Sequence, residues 1–124
     1  MSAALRRSGK IHVALDGRPL TAPLSGVSRV ISRILKYFPE PDRFHFEVYA
    51  SRAWHPDFAE ILRMPNVQWI QGEGWSARRA GLWFNATLPL NLRRHRYDVF
   101  WGSQQVIPPG LNRHVPVVLT YYDL

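Results

Sequence analysis

The hydrophobic positions in the first forty residues change their period, and the change predicts a strand, a loop and a helix. Residues 11–15 read IHVAL, a nearly continuous apolar run typical of a buried strand in a parallel sheet. Asp16-Gly17 and Pro19 end this run. Between Gly26 and Phe38 the apolar residues follow one face of a 3.6-residue period; they are Val27, Val30, Ile31, Ile34, Leu35 and Phe38. Strand, loop and helix in this order open a doubly wound α/β domain.

The later pattern predicts four more strands and two more helical segments. The strands are predicted at Phe44–Ala50, Val67–Ile70, Val99–Trp101 and Val115–Thr120, and the helical segments at Asp57–Met64 and Ala77–His95. Pro89 lies inside the second helical segment, which is therefore expected either to kink or to divide into two helical pieces. Phe44–Ala50 alternates apolar and polar residues, so we expect it near the sheet edge or under partial cover. The chain is therefore predicted to have a Rossmann-like, doubly wound α/β fold with a mostly parallel sheet.

The two ends of the chain have different patterns. Residues 1–9 carry charge but no apolar core, and we expect a flexible leader there rather than a signal peptide. Val115–Thr120 reads as a buried strand, which a covering helix would ordinarily follow, yet only four residues come after it. We therefore expect residues 10–124 to be the front part of a longer α/β protein, or a remnant of one.

Composition narrows the class of partner. A hydrophobic content of 46% with 13% aromatic residues is that of a globular domain. The net charge is +7, and fourteen of the sixteen basic residues are Arg, which suits nucleotide phosphates, nucleic acid or an anionic membrane surface. A GC-rich coding sequence would produce the same Arg bias.

The chain lacks cysteine and long apolar runs. Without cysteine, a disulfide scaffold and a Cys-ligated metal are both excluded, and the cytosol is the default compartment. No apolar run approaches the ~20 residues that a membrane span needs. We therefore expect a cytoplasmic protein that is either soluble or touches a membrane only at its surface.

Polar residues follow several of the predicted strands, and in a parallel sheet the carboxyl ends of the strands lie along one edge. A cleft there would hold Asp16, Arg18, Ser25, Gly26, Ser103, Gln104, Gln105, Tyr122 and Asp123. Hydroxyl, amide and carboxylate groups suit the recognition of sugar hydroxyls, and a helix N-terminus suits an anion.

Several of these residues have a simpler interpretation as well. Gly26 either lets a phosphate approach or serves only the turn, and Arg18 is either a ligand group or a solvated loop residue. Asp16 either binds a ligand or bonds nearby loop amides. Asp123 is either a site residue or the cap of a following helix. Ser103 and its two Gln neighbours favour a site, because polar residues directly after a buried strand are hard to explain as core.

The histidines and arginine clusters point to no other chemistry. The five histidines show neither HExxH spacing nor a Ser-carboxylate neighbour, so zinc and triad chemistry are both disfavoured. The clusters Arg78-Arg79 and Arg93-Arg94-Arg96 are either a solvated face or a surface for anionic lipid headgroups. An RNA-binding patch is less favoured, because no RNP or KH pattern accompanies them.

Three segments together resemble one enzyme family. IHVALDGRPL followed by SGVSRV resembles the opening of the GT-B-fold glycosyltransferases of family 4, the group-1 retaining enzymes. LWFNATLPLNLRRHRYDVFWGSQQVIPP is similar to that family's stretch around its DVFHSP motif, and VPVVLTYYDL to its PVVVTIHDL motif. The three matches occur in the family's order and spacing and cover nearly all of the chain from Lys10.

The resemblance implies that the chain is the N-terminal, acceptor-side domain of such an enzyme. Ser25, Gly26 and Val27 would then form the glycine loop near the donor diphosphate, and the loop that contains Tyr122 and Asp123 would supply the candidate catalytic residues. Acceptor contacts are expected from two loops, through Asp16 and Arg18 and through Ser103, Gln104 and Gln105. Enzymes of this fold need no metal as a rule; helix-end amides and basic side chains offset the charge of the leaving diphosphate.

The chain departs from the family in two respects. The family's His before the Asp is Tyr122 here, and a phenol differs from an imidazole in shape and donor geometry. The C-terminal donor-binding domain, with its paired glutamates, has no counterpart in these 124 residues.

The function predicted from the sequence is transfer of a sugar from a nucleotide-sugar to a saccharide or lipid-linked acceptor, without turnover by this chain alone. The alternative is a non-catalytic α/β binding module, or a remnant, that holds a partner or an anionic surface.

Overall fold

The computed structural model describes residues 9–72, 83–84, 88–89, 92, 97–103, 108 and 115–119. Within these residues the strands are β1 (Ile11–Asp16), β2 (Phe44–Ala50), β3 (Val67–Gln71), β4 (Val99–Gly102) and β5 (Val117–Leu119). The α-helices of the same part of the chain are α1 (Gly26–Lys36) and α2 (Ala59–Leu62), and 3₁₀ turns lie at Arg18–Thr21 and Pro56–Phe58.

The five strands form a single parallel sheet in the order β3-β2-β1-β4-β5. β1 is central, and its Leu15 is in register with Val48 on one side and Trp101 on the other. An outward succession from a central first strand is the strand order of a Rossmann-type half-sheet. The predicted Rossmann-like α/β fold is therefore confirmed.

One face of the sheet packs against α1 and α2. Ile31 and Leu35 of α1 and Ile61 of α2 are buried in the same cluster as Leu15 and Val48 of the sheet. The rim of this cluster is aromatic, with the Phe38 ring edge-on to Phe44 and Phe46 at centroid distances of 4.6 and 5.2 Å. Such edge-to-face contacts add stability beyond the burial of area.

The other face of the sheet is also covered. Ala14, Tyr49 and Phe100 of the sheet pack against residues from the predicted helical segment at 77–95, namely Trp83, Phe84, Leu88 and Leu92. Those of its residues that the structure describes are in helical conformation. Burial on both faces explains why β1 reads as a continuous apolar run rather than an alternating one.

The helical stripe of α1 is less buried than its spacing indicates. The helix ends at Lys36, with Tyr37 as its C-cap, rather than at Phe38. Val30 and Ile34 belong to the predicted apolar face but are 39% and 38% exposed. Ile31 and Leu35 of the same stripe are, by contrast, fully buried against the sheet.

β5 was expected to be a buried strand, and this was wrong. Val117, Val118 and Leu119 are all exposed, Val118 by 53%. β5 pairs with β4 along one side and forms an edge of the five-stranded sheet. An apolar groove of about 380 Å³ lies beside it, lined by Val13, Ile34, Phe38, Phe44, Phe46, Val99, Trp101 and Val118.

β2 agrees with its prediction, since it lies one strand in from the edge strand β3. Other predictions concern residues outside the described ones, namely residues 1–8 of the predicted leader and both Arg clusters. Pro89 is described, in helical conformation, but most residues of the predicted helical segment around it are outside the described ones, so the predicted kink stays a prediction. In the part of the chain that the structure describes, no helix has the length and apolar character needed to cross a bilayer.

Candidate functional site

The carboxyl ends of β1, β4 and β5 lie side by side, because these three strands are neighbours in a parallel sheet. A direct contact joins the first two: the Ser103 hydroxyl donates a hydrogen bond to the backbone carbonyl of Asp16 at 2.6 Å. Both residues are fully buried, although 87 positions separate them in the sequence. The prediction that the loops after β1 and β4 meet at one edge is therefore confirmed.

Asp16 is held by Arg18 rather than free for a ligand. Arg18 Nε donates to both carboxylate oxygens at 3.0 Å, and Nη2 donates to Oδ2 at 2.6 Å. The Arg18 amide also donates to Oδ1 at 3.2 Å. Of the two interpretations of Asp16, the structure favours bonding within its own loop, and the carboxylate acts by positioning Arg18.

Arg18 is not a solvated loop residue, because only 24% of its side chain is exposed. Its guanidinium carbon lies 3.9 Å from the centroid of the Phe84 ring, an attractive cation–π contact. The fork toward Asp16 uses Nε and Nη2. Within the part of the chain that the structure describes, Nη1 makes no hydrogen bond, so it is the guanidinium nitrogen that can meet an anion or a hydroxyl.

Gly17 is required by a close approach of the backbone to β2. Its amide donates to the Tyr49 carbonyl at 2.7 Å. A Cβ at this position would lie 2.4 Å from Val48 Cγ1 and 3.0 Å from the Tyr49 carbonyl oxygen. The turn out of β1 therefore depends on a residue without a side chain.

The N-terminus of α1 is built by a reciprocal pair of serines. Ser25 is the N-cap and accepts from the Ser28 amide, while the Ser28 hydroxyl accepts from the Ser25 amide at 2.8 Å. The first amides of the helix, those of Gly26 and Val27, have no acceptor within the helix itself. The capping box fixes the helix start, and these two amides and the helix dipole are what an anion would meet.

Gly26 has open space in front of it. A Cβ there would meet no heavy atom within 4 Å, and the residue does not have a positive φ. The backbone therefore does not need glycine at this position for its conformation. The interpretation in which Gly26 serves only the turn is therefore not supported by its backbone conformation or by its surroundings.

The connection from β1 to α1 is anchored to the loop after β2. The His55 amide donates to the Leu20 carbonyl at 2.8 Å, and Asp57 Oδ2 accepts from the Leu24 amide at 2.9 Å. Leu20 itself is fully buried. These bonds hold the segment between Arg18 and Ser25 in place before any ligand arrives.

Sequence reasoning missed Phe84 and Trp69. The Trp69 ring lies against Gly17, with Cζ3 3.2 Å from the place a Cβ would take. Its indole Nε1 is buried and has no hydrogen-bond partner among the residues that the structure describes. Phe84 supports Arg18 from a segment 66 residues later in the chain. No sequence signal marks either contact, because both depend on which strand and which helix become neighbours.

The predicted site residues divide into three groups. Asp16, Arg18 and Ser103 are brought together at the sheet edge. Ser25, Gly26 and Val27 form the start of α1. Gln104, Gln105, Tyr122 and Asp123 lie outside the described residues.

Several basic side chains of α1 line a groove on the surface of the protein. A groove of about 430 Å³ runs between α1 and α2, with Arg29, Arg33 and Lys36 on its α1 side. Lys36 Nζ lies 3.1 Å from Glu60 Oε1, and this hydrogen bond, with the charge of Glu60, raises the pKa of Lys36. The helix therefore carries positive charge along its exposed side.

Potential metal ligands among the described residues gather away from this edge. His12, His45 and Glu47 lie toward the amino ends of β1 and β2.

Comparisons of the chain with protein-family models, with curated proteins and with solved structures found no match.

Proposed function

We propose that the chain is the acceptor-side domain of a retaining, GT-B-type glycosyltransferase. It would take part in moving a sugar from a nucleotide-sugar to a saccharide or lipid-linked acceptor at the cytoplasmic face of a membrane. The proposal begins from the three sequence motifs that resemble the family. The structure supports it with a Rossmann-like sheet and an edge at which two of the motifs meet.

The single observation that carries the proposal is the bond between Ser103 and Asp16 at 2.6 Å. It joins the loop of the first motif to the loop of the second, as a shared acceptor site requires. Arg18, clamped by Asp16 and stacked on Phe84, would present Nη1 to an acceptor hydroxyl or phosphate.

The donor side would rest on the start of α1. The amides of Gly26 and Val27 and the open space at Gly26 suit the approach of a diphosphate. The second domain of such an enzyme would supply most of the contacts to the nucleotide. We therefore expect this chain to bind an acceptor weakly and a nucleotide-sugar more weakly still, and to show no turnover by itself.

An NMR titration of the ¹⁵N-labelled chain tests the proposal. The probes are UDP-glucose, GDP-mannose and, separately, a short-chain polyprenyl-phosphate-linked sugar. The acceptor analogue should shift the amides of Arg18 and Ser103, and a nucleotide-sugar those of Gly26 and Val27. Shifts confined to residues away from these two loops would contradict the proposal.

Two substitutions distinguish specific binding of the acceptor at Arg18 from a general effect of positive charge. Arg18→Lys keeps a cation beside Asp16 but removes the fork, so the acceptor-induced shifts should fall several-fold. Arg63→Gln removes an exposed charge near the end of α2 and should leave them unchanged. Equal losses in both variants would mean that the shifts report charge alone.

The second candidate function is a non-catalytic module that binds an anionic surface. The row of Arg29, Arg33 and Lys36 along the α1 groove is the observation that favours it. Co-sedimentation with vesicles of phosphatidylglycerol and of phosphatidylcholine tests it. Binding only to the anionic vesicles, lost in Arg29→Gln/Arg33→Gln, supports surface attachment, and equal binding to both vesicle types contradicts it.

The reading frame beyond codon 124 distinguishes the two functions. A following domain with a glutamate pair supports the enzyme, and a stop codon supports the module.

A further inference from the structure

Two histidines and a glutamate of β1 and β2 form a compact group that the proposed function does not use. His12 is the register partner of His45, and Glu47 lies two residues further along β2. Both His12 and Glu47 alternate with residues of the α1-facing core, so they lie on the opposite face of the sheet. The group is near the amino ends of the strands, whereas the glycosyltransferase-like edge is at the carboxyl ends.

The spacing of the ligand atoms suits a metal ion. One nitrogen or oxygen from each of the three residues lies within 4.8 Å of the other two. His12 Nδ1 and Glu47 Oε1 are 3.3 Å apart. Two ligands about 2.1 Å from a tetrahedral zinc ion are about 3.4 Å apart, so this pair already has the separation of bound ligands.

Two of the three side chains also have hydrogen-bond partners that fix their orientation. Tyr49 donates its hydroxyl proton to Glu47 Oε2 at 3.0 Å, and His45 Nε2 lies 3.3 Å from Gln68 Oε1. Such partners orient metal ligands and are a usual part of a metal site.

The group combines charge with access to solvent. Glu47 is buried, with 12% of its side chain exposed, and a carboxylate at this depth is stabilised by a nearby cation. His12 and His45 are half-buried, so an ion and a coordinating water can enter from the surface. The His12 and His45 rings are tilted against each other with centroids 5.3 Å apart, so the second imidazole lies beside the ion pair of His12 and Glu47.

We propose that His12, His45 and Glu47 bind a divalent transition-metal ion such as Zn²⁺, with water completing its coordination. The ligand set of two imidazoles and one carboxylate is one that zinc and related ions accept. The ion would join β1 to β2 at the end of the sheet opposite the candidate acceptor site, and it would take no part in sugar transfer there.

Titration of the chelator-treated chain with Zn²⁺ and with Co²⁺ tests this site. Calorimetry should give one ion per chain, Co²⁺ should produce visible absorption, and Zn²⁺ should raise the midpoint of thermal unfolding. His45→Ala and Glu47→Gln should each weaken Zn²⁺ binding by at least the roughly 10–100-fold that loss of an outer partner of a metal ligand costs. The half-buried position of His45 makes the first variant the safer one to fold, and circular dichroism checks both.

His55→Ala is the matched control. His55 is also half-buried and lies 3.4 Å from a carboxylate, that of Asp57, but belongs to a different loop. Its removal should leave the affinity for Zn²⁺ unchanged. The proposal is overturned if millimolar Zn²⁺ does not bind, or if folded His45→Ala binds as tightly as the unsubstituted chain. These outcomes are independent of the glycosyltransferase proposal, whose test uses no metal.

Discussion

Gly17 and Gly26 lie nine residues apart in the same connection, but their surroundings are opposite. A Cβ at Gly17 would meet Val48 Cγ1 at 2.4 Å, whereas a Cβ at Gly26 would meet nothing within 4 Å. From the sequence, Gly17 was predicted to end the first strand, and Gly26 either to let a phosphate approach or to serve only the turn. Packing against β2 distinguishes the two positions.

Alanine at the two positions should therefore have opposite effects. Gly17→Ala should lower the free energy of unfolding by about 1–3 kcal/mol, because Val48 and the backbone of β2 must move. Gly26→Ala should raise it by about 0.4–1 kcal/mol, because the unfolded chain loses freedom and the helix gains a better helix former. Urea denaturation measures both, and a stabilising Gly17→Ala would contradict the close approach.

Asp16 and Arg18 form a buried ion pair whose two halves depend on each other. Asp16→Asn should lower the free energy of unfolding by about 3 kcal/mol, because the guanidinium keeps its place but loses its charged acceptor. The control is Asp42→Asn, since Asp42 is exposed in the turn before β2 and should change stability little. A similar small effect for both variants would show that the pair does not hold the loop.

The raised pKa of Tyr49 predicts how the stability of the protein depends on pH in the alkaline range. Its pKa is raised by burial and by Glu47, so the folded protein keeps the phenol proton at a pH where the unfolded chain releases it. Burial also raises the pKa of Tyr97. The free energy of unfolding should then be unaffected by these groups below about pH 10 and fall as pH rises above that value.

Tyr49→Phe should make this alkaline decline less steep, by about 1.4 kcal/mol per pH unit. The variant should also be less stable at neutral pH by about 1 kcal/mol, since Glu47 loses a hydrogen bond. The control is Tyr37→Phe, because Tyr37 is 71% exposed. Denaturant titrations between pH 8 and 11.5 (approximate limits set by the tyrosine range) measure the slopes, and identical slopes for Tyr49→Phe and the parent would contradict the assignment.

At the scale of single elements, α1 depends on its first turn. Ser25 and Ser28 satisfy each other's amides, and no acidic residue is present in the first turn to complement the helix dipole. Ser25→Ala should lower the free energy of unfolding by about 1 kcal/mol. Ser32→Ala, in the middle of the same helix, should be neutral or slightly stabilising because alanine is the better helix former. Equal losses in both variants would contradict a specific role for the cap.

The elements themselves were largely predictable from sequence. Buried strands and the helix α1 follow from their periodicity, and their boundaries differ from the prediction by one or two residues, as at Lys36. The burial of each side chain was less predictable, because it depends on the neighbour that covers it. Val30 belongs to the apolar stripe by its spacing and is half exposed, while Ser28 is polar and fully buried.

At the scale of the whole molecule, the sequence predicted that the candidate site lies at the carboxyl-end edge of the sheet, but not which side chains from other elements contact the site residues. The order β3-β2-β1-β4-β5, which the parallel direction of the strands alone does not determine, places Ser103 beside Asp16. The contacts of Arg18 with Phe84, and of His12 with His45 and Glu47, depend on side chains brought together from separate elements. The histidines show no metal-like spacing along the chain, because strand register rather than sequence distance makes them neighbours.

The exposed apolar edge of β5 predicts self-association. Val118 is 53% exposed and lines the apolar groove beside β4. An uncovered apolar edge strand invites pairing with another chain. Val118→Lys should raise the concentration at which the chain associates, as measured by sedimentation velocity, without lowering its thermal stability. The control is Lys36→Gln, which alters charge on α1 away from β5. If Val118→Lys associates at the same concentration as the parent chain, the prediction is contradicted.

The central place of β1 has a consequence for how the polypeptide acquires its shape. β1, β2 and β3 all come from residues 11–71, so their pairing closes only short loops. β4 joins β1 from much farther away, and the bond between the His12 amide and Asp98 spans 86 positions. Contacts between distant residues form late, and synthesis delivers the N-terminal residues first. A three-stranded unit with its helix can therefore assemble on the ribosome and serve as the template on which β4 and then β5 are laid down.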